Sequence, residues 1–79
     1  MEYKHLRFEE VDNKGLKTKI FKVFSLYNDD ELGTIKWYGG WRQYVFTPLD
    51  ETIWSWGCLA ELSGFIQTLM MARKDEKNR

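Results

Sequence analysis

The chain lacks most of what would announce a function. Its single cysteine, Cys58, excludes an internal disulfide, and with a single histidine, His5, it cannot complete a four-ligand zinc site. Twelve Lys and Arg cancel twelve Asp and Glu, so there is no net basic field of the kind nucleic-acid domains carry. No apolar run approaches the roughly 18 residues that suggest a membrane span, and the charged start has no signal-peptide core. A cytoplasmic location is therefore expected, with no membrane association. One proline and no Pro/Gly/Ser-rich stretch leave no linker, so residues 1–79 read as one domain. At 79 residues that domain is close to the lower limit for a self-sufficient core.

What the chain does have is rings. Five Phe, four Tyr and four Trp stand in a chain that is 43% hydrophobic and 30% charged. That composition excludes disorder and predicts a small globular fold.

The strongest local pattern is the pair 32–38 and 41–47 around Gly39-Gly40. Glycines at both central positions tolerate the positive φ of a two-residue hairpin turn. Ile, Trp, Tyr, Val and Phe on both flanks suit a pleated, half-buried surface. Such a turn places Tyr38 opposite Trp41, Trp37 opposite Arg42, Ile35 opposite Tyr44 and Gly33 opposite Phe46. Residues 17–27 read as a further strand, entered from the turn Asp12-Asn13-Lys14-Gly15 and left through Asn28-Asp29-Asp30-Glu31. An earlier strand over 6–11 is interrupted by Glu9 and Glu10. From Ser55, a suitable N-cap, the period becomes helical. Cys58, Leu59, Leu62, Phe65, Ile66, Leu69 and Met70 fall on one stripe of a helix over 56–73, and a tail over 75–79 is expected to fray. The expected fold is α+β: an antiparallel three- to four-stranded meander with one C-terminal helix packed on one face.

Alternation along the strands divides the rings. One face carries Ile20, Phe24, Leu26, Ile35, Trp37, Tyr44 and Phe46 and should receive the helix. The other carries Phe21, Val23, Lys36, Tyr38, Trp41, Gln43 and Val45. With no second helix to cover it, this face exposes Phe21, Tyr38 and Trp41, more apolar surface than a small monomer usually shows. It is therefore the candidate binding surface, with Phe21, Lys36, Tyr38, Trp41 and Gln43 as its residues.

The string Lys17-Thr18-Lys19, Leu32-Gly33-Thr34-Ile35-Lys36-Trp37-Tyr38, Trp41-Arg42-Gln43-Tyr44-Val45-Phe46, Pro48, then Ser55 and Cys58-Leu59 covers most of residues 17–70. It resembles a small family of stand-alone, uncharacterised proteins encoded in bacterial, archaeal and phage genomes. The resemblance implies a fold and a mobile-element setting, and no activity. Val45 stands where similar sequences often have a small residue or cysteine, and Gly39-Gly40 replaces a more varied pair.

Aromatic rings beside Lys36 and Gln43 can stack bases and hold phosphates, and Lys17, Lys19 and Lys22 could extend a basic strip. The plainer reading is lateral packing of rings on a twisted sheet whose lysines guard it against aggregation; the zero net charge favours it. Arg42, opposite Trp37, is a candidate anion or carboxylate contact, against the plainer structural cation–π pair with an acidic residue from the Asp50–Glu51 loop. No catalytic order emerges: a nucleophile needs a base in reach and a group to orient it. His5 lies in a terminal segment, and Cys58 lies on the apolar stripe. No phosphate-cradling glycine loop, metal set or cofactor motif is present. The expectation is a non-enzymatic binding module whose partner is another protein or a second copy, with regulation of a host protein, including anti-defence inhibition, among its forms. The alternative is a single-stranded nucleic-acid binder using the same face.

Overall fold

The computed structural model describes residues 3–12, 15 and 18–77, with side chains as far as Arg73. Four strands, β1 (Leu6–Val11), β2 (Ile20–Ser25), β3 (Glu31–Tyr38) and β4 (Gln43–Pro48), precede one helix, α1 (Trp56–Lys77). The strands form one sheet in the order β1-β2-β3-β4, every neighbour antiparallel. The fold is thus α+β, a four-stranded meander with a C-terminal helix across it. Lys17 and the central residues of the Asp12–Gly15 turn lie outside the described residues, as do Asn78 and Arg79.

The helix lies on the face that presents Phe8, Phe21, Val23, Ile35, Trp37, Tyr44 and Phe46. Leu6, Val23 and Ile35 are fully buried, and Leu62 is the helix residue that reaches the buried core. Phe65 follows one turn later, stacked on Phe8 at 4.0 Å and edge-on to Phe21 at 4.9 Å. Edge-to-face and offset stacked rings at these separations add to their area burial. Ser55 caps the helix as its position suggested, its Oγ accepting from the Cys58 N–H at 3.2 Å. The helix continues four residues beyond the expected Arg73, to Lys77.

Two expectations are corrected here. The β3–β4 turn holds four residues, Gly39–Arg42, so Tyr38 faces Gln43, Trp37 faces Tyr44 and Ile35 faces Phe46. The left-handed conformation is taken by Arg42, at φ 55°, and not by Gly39 or Gly40. The shift is by two residues, an even number, so the faces of β3 and β4 are unchanged.

In β2 the faces are reversed. Phe21 and Val23 point under the helix, and Phe21 is 8% exposed. Phe21, expected on the open surface, is a core residue. The segment Ile20-Phe21-Lys22-Val23-Phe24 is apolar in both alternations, so hydrophobicity alone cannot choose its inner face. The choice is made by pairing: Phe21 sits opposite Ile35, and a bulge between Val23 and Phe24 resets the register before Glu31.

Gly33 has a definite reason to be glycine. A Cβ there would come within 2.4 Å of the Thr47 carbonyl oxygen and 2.6 Å of the Phe46 ring. The ring of Phe46 lies where that side chain would be, and Trp54 meets it edge-on at 5.0 Å.

Candidate functional site

The open face, opposite the helix, presents Arg7, Glu9, Lys22, Phe24, Thr34, Lys36, Tyr38, Gln43 and Val45 by strand alternation. Its two ends differ. Near the start of β1, Arg7 lies over the Phe24 ring at 4.2 Å and forms ion pairs with Glu9 and Asp29, both at 2.8 Å. The two carboxylates hold the guanidinium in its charged form, Asp29 more than Glu9, and its pKa is raised. This end satisfies itself.

At the hairpin end Tyr38 is 49% exposed and Trp41 68%. Their rings meet edge to face at 5.3 Å. Gly40 makes that arrangement possible, because a Cβ there would press on the Tyr38 ring at 3.0 Å. Lys36 shares the face with Tyr38, two residues back along β3, and Gln43 sits directly across from Tyr38. The structure therefore brings Lys36, Tyr38, Trp41 and Gln43 together, with Arg42 in the turn beside them, and removes Phe21 from the group.

Arg42 does not stack on Trp37, because the longer turn carries it past that register position. Nor is it near the Asp50–Glu51 loop, which follows the opposite end of β4. The guanidinium over Trp37 belongs to Arg73, on the helix, at 4.1 Å. Among the described residues neither Lys36 nor Arg42 has an ion-pair partner.

Charge is distributed by end. Lys36 and Arg42, with Arg73 on the helix and Lys19 just before β2, gather at the hairpin end. Asp29 and Asp30 occupy the β2–β3 turn, Glu31 opens β3, and Asp50 and Glu51 follow β4 at the same opposite end. Glu9 and Glu10 sit on the half of β1 that runs toward the hairpin end, two strands away from β3. Arg7 lies at the acidic end too, where Asp29 pairs with it, so the neutral total conceals two local clusters, a cationic one around the hairpin and an acidic one around the residues after β4 and the β2–β3 turn.

The acidic end also holds a cleft of about 660 Å³ between the β2–β3 turn, the residues after β4 and the start of α1. Asp30, Glu31, Asp50 and Glu51 line it together with Leu49 and Ile53, and no Lys or Arg among the described residues does. Its walls are tied by the Leu49 N–H donating to the Leu32 carbonyl at 2.9 Å. The Thr52 hydroxyl donates to the Leu49 carbonyl at 3.0 Å, and the Trp54 indole N–H to the Thr52 hydroxyl at 2.9 Å.

Sequence reasoning missed one constellation. Glu61, on α1, accepts from the backbone N–H groups of Lys4, His5 and Leu6 at 3.1–3.2 Å. His5 Nδ1 is 2.7 Å from the Tyr27 hydroxyl, and its Nε2 is 3.9 Å from Glu61. Hydroxyl, imidazole and carboxylate in that order resemble a catalytic relay. The carboxylate, however, is directed at three backbone donors, and 3.9 Å to the ring is no hydrogen bond. It is a clamp between the first strand and the helix. Gly57 admits the imidazole, since a Cβ there would lie 3.0 Å from Nε2. Partners 55 to 57 residues apart leave no local pattern from which the clamp could be read.

No group of three or more His, Cys, Asp or Glu among the described residues is placed to hold a metal ion. No helix among them is long and apolar enough to cross a membrane.

No protein-family model matches the chain, and no solved structure matches it. A relative in a phage does: an "Uncharacterized 9.3 kDa protein" of Acholeplasma phage L2 is 33% identical over 70 residues, which are 89% of this chain and 90% of that protein. Identity at that level across nearly the whole of both chains establishes kinship: this chain belongs to the family of the uncharacterised 9.3 kDa protein of Acholeplasma phage L2.

Proposed function

We propose that the protein is a small non-enzymatic binding module acting in the cytoplasm, and that it works through protein contact at the hairpin end of its open face. The observation that carries this reading is the Tyr38–Trp41 pair. Two large rings, 49% and 68% exposed, meet edge to face over Gly40 and lie outside the buried core. Aromatic and arginine side chains in such a setting are what protein interfaces concentrate their binding energy in. Occlusion of a host protein, with a regulatory outcome, is the form this takes for a phage-related chain.

The test is capture from host lysate with wild-type protein and with Tyr38→Ala combined with Trp41→Ala. The expected result is a partner retained by the wild type and lost by a variant that still melts cooperatively. Equal capture by both proteins would sink the reading.

The segregation of Lys36 and Arg42 beside these rings favours a second reading, a single-stranded nucleic-acid surface. That reading requires an oligothymidylate to quench tryptophan fluorescence at low salt, with quenching reduced in Trp41→Phe. Absence of quenching at about 0.05 M salt, where the Debye length exceeds 10 Å, removes it.

A further inference from the structure

We propose that the hairpin end of one copy docks into the acidic cleft of a second copy, head to tail. The proposal rests on the reading that the hairpin end is a contact surface, and it names what that surface contacts.

The two ends are chemically complementary. The cleft offers four carboxylates, Asp30, Glu31, Asp50 and Glu51, around the apolar side chains of Leu49 and Ile53, and Ile53 is 92% exposed. An isoleucine so exposed beside a cleft has no structural task within its own chain. The hairpin offers two cations, Lys36 and Arg42, around the exposed rings of Tyr38 and Trp41. Apolar centre meets apolar centre, and each cation meets an acidic rim.

One molecule cannot satisfy itself this way. The cleft and the hairpin lie at opposite ends of β3, whose eight residues span about 26 Å at the usual rise per residue. The zero net charge then acquires a meaning: copies do not repel one another, while their opposite ends attract. The cleft is also pre-formed. Hydrogen bonds tie its walls, and Glu51 is held at φ 63° between them, so little ordering is required on docking. A contact between unlike surfaces does not close on itself after two copies, so growth continues into longer chains unless a ring forms.

Sedimentation velocity tests this with two variants. Lys36→Gln with Arg42→Asn disables the hairpin, asparagine being chosen because it tolerates the left-handed backbone there. Asp50→Lys with Glu51→Asn disables the cleft for the same reason. Wild type should assemble beyond dimers as concentration rises and dissociate between about 0.05 and 0.5 M salt. Each variant alone should be monomeric. Their equimolar mixture should form a 1:1 heterodimer that grows no further, because one working hairpin and one working cleft remain. Adding Trp41→Ala to the cleft variant should abolish that heterodimer, which a general attraction between oppositely charged proteins would not do.

A wild type that stays monomeric at about 1 mM overturns the proposal. So does a mixture that remains monomeric with both variants folded by circular dichroism, or a heterodimer indifferent to Trp41→Ala. If self-association fails while Tyr38→Ala/Trp41→Ala still loses a captured host partner, head-to-tail docking falls and the hairpin contact surface stands.

Discussion

The two faces of this sheet are built from similar residues and do different things with them. Under the helix every ring has ring neighbours. Phe65 alone touches Phe8 and Phe21, and Trp37 lies edge-on to Tyr44 at 5.4 Å with Arg73 above it. On the open face Phe24 is covered by Arg7, and Tyr38 and Trp41 have each other. A ring with partners on several sides stabilises the fold, and its removal leaves a cavity. A ring with one partner and water on its other side adds little to the fold and is available to a second molecule. Location relative to the helix, and not residue type, separates buried from exposed aromatics here.

The largest break in that comparison is Phe21→Ala. With the side chain in the core, it should cost about 3–5 kcal/mol, enough to unfold a marginal domain at ambient temperature. Urea denaturation followed by circular dichroism checks it; a loss below about 0.5 kcal/mol, the usual range for an exposed position, would return Phe21 to the open face.

Gly33→Ala is the next. The methyl group would meet the Thr47 carbonyl and the Phe46 ring, separating β3 from β4 or displacing the ring. Overpacking of this kind costs about 1–3 kcal/mol, read as a lower melting temperature. Gly40→Ala would press only on an exposed ring, so its melting temperature should fall less while the Tyr38–Trp41 geometry changes.

Glu61→Ala leaves the N–H groups of Lys4, His5 and Leu6 without their carboxylate. A loss of about 1–3 kcal/mol is expected. Hydrogen exchange should accelerate first at those three amides, and uniform acceleration across the sheet would contradict the local role.

Smallest of all should be Tyr38→Ala with Trp41→Ala. Exposed substitutions away from the core usually fall within about 0.5 kcal/mol each. A loss several times larger, in the same urea experiment, would mean that the open face is part of the core after all.

Much of the fold is legible in the chain. β1, the alternation in β3 and β4, the Ser55 cap and the helical stripe through Leu62 follow from local patterns. Register is legible only where a turn type is unambiguous. Gly39-Gly40 suggested a two-residue turn, yet Arg42 takes the left-handed position and the loop is four residues long. The face of β2 is illegible because both of its alternations are apolar, and the pairing of Phe21 with Ile35 decides it. Four of the proposed surface residues, Lys36, Tyr38, Trp41 and Gln43, gather at the hairpin end because they are close in sequence on strands of clear alternation. The acidic cleft draws on three separate segments, and the Glu61 clamp on two, so neither has a signature in any window of the sequence. The neutral composition misleads for a related reason: summing charges discards their positions.

The Glu61 clamp also bears on the order in which the protein is made. Residues 4–6, at the entry to the first strand, leave the ribosome long before the carboxylate that receives their N–H groups. Until residue 61 has been synthesised and its helix has formed, that end of β1 has no acceptor except water. The edge of the sheet at β1 is thus completed by α1, and its folding during synthesis cannot finish before that helix has formed.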